Sequence, residues 1–149
     1  MSERLSHVDE EGRVQMVDVG GKPLSRRRAV ASATVRMAAE TAHRLQELPK
    51  GDALAAARLA GIMAAKRTSE LIPLCHPLPL SHIDLSLEVR EAAVDVVAAV
   101  ETVAQTGVEM EALVGASVAA LTVYDMAKGI DQGMVVEEVR LLEKTKRAP

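Results

Sequence analysis

The sequence predicts an α+β fold, an antiparallel sheet covered by helices on one face, and three observations lead there. Ile83, Leu85, Leu87 and Val89 alternate with Asp84, Ser86 and Glu88, the clearest period-two pattern in the chain. A second, more apolar run, Val94 to Ala104, follows after a short break. Two stretches, Ala53 to Thr68 and Glu109 to Lys128, have the composition and the ends of long helices. Strands that arrive in pairs between long helices suggest α+β. The sheet face away from the helices would then need polar residues or a partner subunit.

Taken in order, residues 1 to about 12 read as a loosely ordered lead-in to a single domain spanning 1–149. Val14 to Val19 alternates loosely and suggests a short strand, ended by Gly20-Gly21 and Pro23. Arg28 to Met37 alternates small apolar with polar or β-branched residues and reads as a strand. Ala38 to Leu48 looks helical and stops before Pro49. Asp52 is a good N-cap for the next helix, whose Leu54, Ala57, Gly61, Ala64 and Ala65 form a stripe of mostly small residues suited to close packing. Pro73, Pro77 and Pro79 keep Leu71 to Leu80 out of regular structure, as a stiff loop. An Ala92-Ala93 connection would suit a hairpin between the next two strands. Thr106-Gly107 breaks the pattern before the long helix. Its acidic residues lie in the first turn and Lys128 in the last, an order that suits the helix dipole, and Gly129 stops it. Met134 to Lys144 closes the chain as a strand.

Composition excludes several classes of function. The formal net charge of −3 gives no general attraction to nucleic acid or to an anionic membrane. With Tyr124 the sole aromatic residue, a stacking platform for single-stranded bases is missing. The core must be aliphatic, and small side chains bury little area each, which favours a larger core shared in an oligomer. One cysteine cannot form an internal disulfide. The polar N-terminus lacks the apolar run of a signal peptide, and no unbroken apolar stretch has the length of a membrane span. A cytoplasmic protein is the default expectation.

Several groups could carry chemistry. Lys50-Gly51 before a helix start could hold a phosphate through amide dipoles and ammonium together, although an ordinary cap with an exposed lysine is the commoner arrangement. Lys66-Arg67 at a helix C-terminus is expected from the macrodipole alone, and Arg26-Arg27-Arg28 could be a solvated strand edge or meet a triphosphate. Leu74-Cys75-His76-Pro77 is less usual. Its spacing is wrong for the usual zinc patterns, and adjacent side chains in an extended segment diverge, which argues against a Cys–His dyad. A histidine placed for proton transfer and a structural histidine both remain open. Asp125 and Lys128, three apart on one helix, can meet as a surface ion pair or as an acid–base pair in a cleft. Glu111 and Asp125 are fourteen residues apart, about 21 Å along an unbroken helix at about 1.5 Å per residue. A small substrate cannot touch both within one subunit, so they serve separate roles or meet at an interface, the arrangement favoured.

Taken together, the blocks Met16-Val-Asp-Val19, Lys50-Gly-Asp52, Ala-Ala-Lys-Arg-Thr68, Leu-Ile-Pro-Leu-Cys-His-Pro-Leu78, Thr-Gly-Val-Glu-Met-Glu-Ala-Leu113 and Leu-Thr-Val-Tyr-Asp-Met-Ala-Lys128 make a specific pattern. In this order they resemble the cyclic pyranopterin monophosphate synthases, the MoaC family of molybdenum cofactor biosynthesis, from about Leu5 to Lys144. The resemblance implies a ferredoxin-like fold and a homohexamer, a trimer of dimers with active sites at dimer interfaces. It also implies rearrangement of a GTP-derived substrate, 3′,8-cyclo-7,8-dihydroGTP, to cyclic pyranopterin monophosphate with release of pyrophosphate. Asp125 then looks like the catalytic acid or base, and Lys50 and Lys128 like essential lysines. Leu74, Cys75, His76, Met110 and Glu111 look like substrate contacts, with Glu109, Arg27 and Lys66 as further candidates. No cofactor or dedicated metal cage is implied, although magnesium could accompany the pyrophosphate. A non-catalytic, oligomeric nucleotide or phosphate sensor would share the small-residue helices and basic clusters. It would have little use for Asp125, Lys128 and His76 together.

Overall fold

The computed structural model describes residues 5–149. The lead-in lies partly outside them. From Leu5 onward a turn forms in which the Asp9 carboxylate accepts the backbone N–H groups of Glu11 (3.0 Å) and Arg13 (2.8 Å). Val8 bridges Val14 and Gln15 N donates to the His7 carbonyl at 2.9 Å, but Gln15 to Val19 joins no sheet, so the short strand expected at Val14 to Val19 does not form.

The elements are β1 (Ser25–Arg36), α1 (Ala39–His43), α2 (Ala53–Lys66), α3 (Thr68–Leu71), β2 (Leu80–Val89), β3 (Ala93–Ala104), α4 (Glu109–Ala127) and β4 (Val135–Arg147). The sheet order is β2-β3-β1-β4 and every neighbouring pair is antiparallel, the ferredoxin-like arrangement. α4 lies on β1, β3 and β4, and α2 lies on β2 and against α4.

Local chemistry explains where each element starts and stops. Leu48-Pro-Lys-Gly51 closes a β-turn, with the Gly51 N–H donating to the Leu48 carbonyl at 2.9 Å. Proline suits the second turn position, and Gly51 holds a φ of +116° that side chains disfavour. The Asp52 side chain then caps α2 by accepting from Leu54 N (2.9 Å) and Ala55 N (3.2 Å), a cap that stabilises by about 1 kcal/mol. The helix expected over Ala38 to Leu48 is one short turn, because the chain folds inward to bury Leu45 and Leu48. Ala38 offers no side-chain cap. Asp131 replaces it from across the fold, accepting from Ala38 N and Thr41 Oγ1, both at 2.9 Å. α2 ends at Lys66 rather than Thr68, whose hydroxyl bonds back to the Ala64 and Ala65 carbonyls before the single turn of α3. β2 begins at Leu80, three residues earlier than the alternation suggests, because a register shift between Leu80 and His82 masks the period there. The hairpin turn sits at Glu91-Ala92, closed by Arg90 N to Ala93 O at 2.8 Å, one residue before the expected connection.

The core is aliphatic and small. Ala29, Ala31, Ala33 and Val35 of β1 and Val94, Val96, Ala98 and Val100 of β3 meet Ala112, Ala116, Ala119, Ala120 and Val123 of α4. At about 0.8 kcal/mol per buried methylene, such a core works by number rather than size. Among the described residues α4 alone is long and apolar enough to cross a membrane, and it serves instead as the central core helix. Its small residues let α2 approach closely. A Cβ placed on Gly61 would lie 2.9 Å from the Gly115 carbonyl oxygen and 2.9 Å from Leu85 Cδ1. Gly61→Ala gains helix propensity of about 1 kcal/mol but forces a backbone atom to move, at about 1–3 kcal/mol. The expected net result is a lower urea midpoint. Gly129→Ala, where a Cβ meets open space, should leave the midpoint unchanged or slightly raised. An unshifted midpoint for Gly61→Ala would show that the crossing can relax.

Candidate active site

The antiparallel crossing of α2 and α4 creates two groups of polar side chains, one at each end of α4. At its C-terminal end, Asp125 in the last turn meets Lys128, the C-cap residue, with Nζ to Oδ1 at 2.8 Å. Lys50 arrives from the turn before α2 and places Nζ 3.6 Å from Asp125 Oδ2 and 3.2 Å from the Asp125 carbonyl oxygen. The hydrogen bond and charge of Lys128, and then the charge of Lys50, hold the Asp125 carboxyl below the usual carboxylate range. Asp125 in turn raises Lys128. At neutral pH the carboxylate is ionised and the lysine protonated. All three side chains are at least half exposed, so the pairs add little to stability. The lysine, glycine and capping aspartate before α2 do more than close an ordinary helix start.

At the N-terminal end of α4 a cavity of about 400 Å³ is lined by His7, Leu74, Cys75, His76, Met110 and Glu111, with Glu109, Thr106 and Gly107 at its side. The proline-stiffened loop supplies the first part of this lining and the first turn of α4 the second. Glu111 is only 3% exposed, and burial pushes its carboxyl above the usual range. Its Oε1 accepts from Cys75 Sγ at 3.5 Å, while Oε2 has no hydrogen-bond partner among the described residues. A buried carboxyl oxygen left bare beside a cavity is costly unless a ligand meets it. Burial first, and then the negative charge of Glu111, push the Cys75 thiol up to about 12. It is a protonated donor and a poor nucleophile.

His76 is held differently. Its Nε2 lies 2.6 Å from the Val17 carbonyl oxygen, which can only accept, so Nε2 carries the proton. In the neutral ring Nδ1 is then free to receive one. Cys75 and His76 bond to separate partners, Glu111 and Val17, and form no dyad.

The remaining candidates fall at this same end. Arg27 on β1 donates from Nε to Ser25 Oγ at 2.6 Å and lines a second cleft of about 270 Å³. Gly107 and Glu109 line both this cleft and the larger cavity, and Glu109 lies 3.8 Å from Lys144 Nζ. Lys66 is exposed in the last turn of α2, at the end where α4 begins, but lines neither space. Asp125, Lys50 and Lys128 therefore form one group, and Leu74, Cys75, His76, Met110, Glu109 and Glu111 another. One chain does not bring the two together. Sequence reasoning missed His7, in a lead-in discounted for its polarity, and the Val17 carbonyl, a backbone group with no side-chain signature. Among the described residues no three His, Cys, Asp or Glu side chains gather as a metal-binding set.

Residues 16–147 match the MoaC family. Similar proteins include one from Herpetosiphon aurantiacus, 55% identical over 95% of this chain and 88% of its own length. One from a Roseiflexus species is 56% identical over 95% of this chain and 92% of its length. One from Streptomyces avermitilis is 54% identical over 96% and 85%. Each is named cyclic pyranopterin monophosphate synthase.

The thiol makes a test. With Cys75 near 12 against the ordinary 9.0, the thiolate fraction at pH 8 is lower by 12 − 9 = 3 decades. Alkylation by iodoacetamide should be slower than in the urea-unfolded chain by about a thousandfold. Glu111→Gln removes the neighbouring charge and should speed it. Reaction at the unfolded rate would contradict the buried Cys75–Glu111 contact.

Proposed function

The chain belongs to the MoaC family, and from that premise we propose that it is a cyclic pyranopterin monophosphate synthase of molybdenum cofactor biosynthesis. It converts 3′,8-cyclo-7,8-dihydroGTP to cyclic pyranopterin monophosphate and pyrophosphate. The observation that carries this reading is Asp125 held between Lys50 and Lys128, an ionised carboxylate beside two cations.

The reaction opens a purine ring by hydrolysis and recloses it as a pterin, which needs several proton transfers. It then closes a cyclic phosphate and expels pyrophosphate. Asp125 starts ionised and acts as a proton acceptor, while Lys128 starts protonated and can donate or neutralise developing negative charge. Lys50, next to the same carboxylate, stabilises the phosphate oxygens. At the other end of α4, His76 Nδ1 can take a proton, and the bare oxygen of Glu111 can accept a hydrogen bond from the base. Cys75, a protonated thiol, donates to Glu111 and positions it.

The two groups sit too far apart along α4 to serve one small substrate, so each site takes Asp125, Lys50 and Lys128 from one copy and the His76–Glu111 cavity from another. The reading therefore includes a homohexamer, a trimer of dimers with interface sites. The exposure of the Asp125 group supports it. A cytoplasmic enzyme using no resident cofactor, with magnesium accompanying the pyrophosphate at most, completes the reading. The nucleotide sensor has no use for the arrangement of Asp125.

Asp125→Asn should keep substrate binding and lower turnover by about 10²–10⁴-fold, the range of general acid–base catalysis. Pyrophosphate release and pterin formation, followed together, check it. Turnover at the wild-type rate would remove Asp125 from the chemistry. Binding by the unaltered protein with neither product formed would favour the sensor.

A further inference from the structure

Gly107 stands just before Val108, the N-cap of α4, where the sequence shows a break in pattern. The usual reasons for a glycine do not apply to it. Among the described residues the glycines with positive φ are Gly12 and Gly51, so Gly107 holds backbone angles open to other residues. Nor does it face main chain, as Gly61 faces the Gly115 carbonyl oxygen at the helix crossing. The nearest atoms to a Cβ built on Gly107 all belong to the Glu109 carboxylate. It would lie 2.5 Å from Oε1 and 2.8 Å from Cδ, with Oε2 nearer still. Carbon atoms in ordinary contact stay about 3.5 Å apart or more, so the carboxylate fills the place that a side chain at 107 would take.

Glu109 is the first residue of α4, where side chains lean back toward the helix N-terminus and the dipole favours an acid. Lys144 Nζ approaches it at 3.8 Å, but that lysine side chain is 68% exposed, and a long ion pair in solvent fixes little. The space left vacant at Gly107 therefore decides where the carboxylate rests. Both residues line the cavity of about 400 Å³, at its side. From there the Glu109 charge reaches Cys75 and Glu111 and disfavours a negative charge on either. We propose that Gly107 is a positioning residue, whose missing side chain lets the Glu109 carboxylate fold back over the entry to α4 and stand beside the cavity as a hydrogen-bond acceptor for a ligand's N–H or O–H groups. The proposal deepens the synthase reading and rests on it for the identity of that ligand.

The test is Gly107→Ala in the full-length protein, alone and combined with Glu109→Ala. With no positive φ to strain and a flexible side chain to displace, Gly107→Ala should leave the urea midpoint unchanged or slightly raised. KM for 3′,8-cyclo-7,8-dihydroGTP should nevertheless rise by about tenfold with kcat within about twofold, the signature of one lost charge-assisted contact. Glu109→Ala should raise KM similarly, and adding Gly107→Ala to it should raise KM no further, because the group through which Gly107 acts is already gone. A second readout needs no turnover. Cys75 is the sole cysteine, so alkylation by iodoacetamide reports it alone. Drawing the Glu109 charge away favours the thiolate, so Gly107→Ala should speed alkylation by roughly two- to tenfold, the effect of one partly screened charge. In the Glu109→Ala background it should add nothing. A wild-type alkylation rate in Gly107→Ala overturns the proposal, as does an unaltered KM. Equal effects with and without the Glu109 side chain also overturn it, and so does a lowered midpoint, which would show that the backbone needs this glycine. Absence of wild-type turnover counts against the synthase reading instead, and the alkylation rates would still decide the role of Gly107.

Discussion

The close approach of α2 to α4 at Gly61 and Gly115 is the contact on which the rest of the molecule depends. A single added carbon at Gly61 would meet a main-chain oxygen, so the two helices lie as near as backbones allow. That distance, with the antiparallel direction of the pair, decides what each end of α4 meets. At one end the turn before α2 delivers Lys50 to Asp125. At the other, the chain leaving α2 passes through α3 into the proline-stiffened loop and lays Cys75 and His76 against the first turn of α4. With Tyr124 the one aromatic residue in the chain, no phenylalanine or tryptophan holds the layers apart. The small core is the condition for this geometry.

The two ends of α4 use opposite electrostatic environments. Asp125, Lys50 and Lys128 stand in solvent, where mutual attraction fixes their protonation without burial. Cys75 and Glu111 are shaped by burial, which disfavours charge, keeps the thiol protonated and raises the Glu111 carboxyl above its usual range. An ionised carboxylate between cations at one end, and buried groups whose charge is disfavoured at the other, are complementary tools for moving protons around a heterocycle. One helix separates them, and under the proposed function each site draws on both sets.

Much of this was legible in the sequence, for identifiable reasons. Ile83 to Val89 announced its strand because one face is buried and the other wet, and Asp52 announced α2 because its cap is local. The long helix was read to within a residue, since its ends carry both charge and glycine signals. Tertiary override hid the rest. Leu45 and Leu48 leave the helical path to reach the core, and Asp131 caps α1 from 92 positions beyond Ala39, which no local pattern reveals. In the site, Asp125 with Lys128 followed from helical spacing, and the loop stood out through its prolines. Lys50 joining them needed the fold, as did the buried state of Glu111, His7 in the cavity and the hold of Val17 on His76.

The central claim is that a working site is assembled from the C-terminal end of α4 in one copy and the N-terminal end in another. Co-expression of Asp125→Asn with His76→Ala, each nearly inactive alone, measures it most directly. In a randomly mixed population half of the dimers are hybrids, and each hybrid holds one unaltered site and one doubly altered site. The mixed protein should recover about a quarter of wild-type synthase activity, the statistical share for two-fold interface sites. Hybrids confirmed by mass spectrometry that recover no activity would contradict the account and place Asp125 and His76 in the same copy's site.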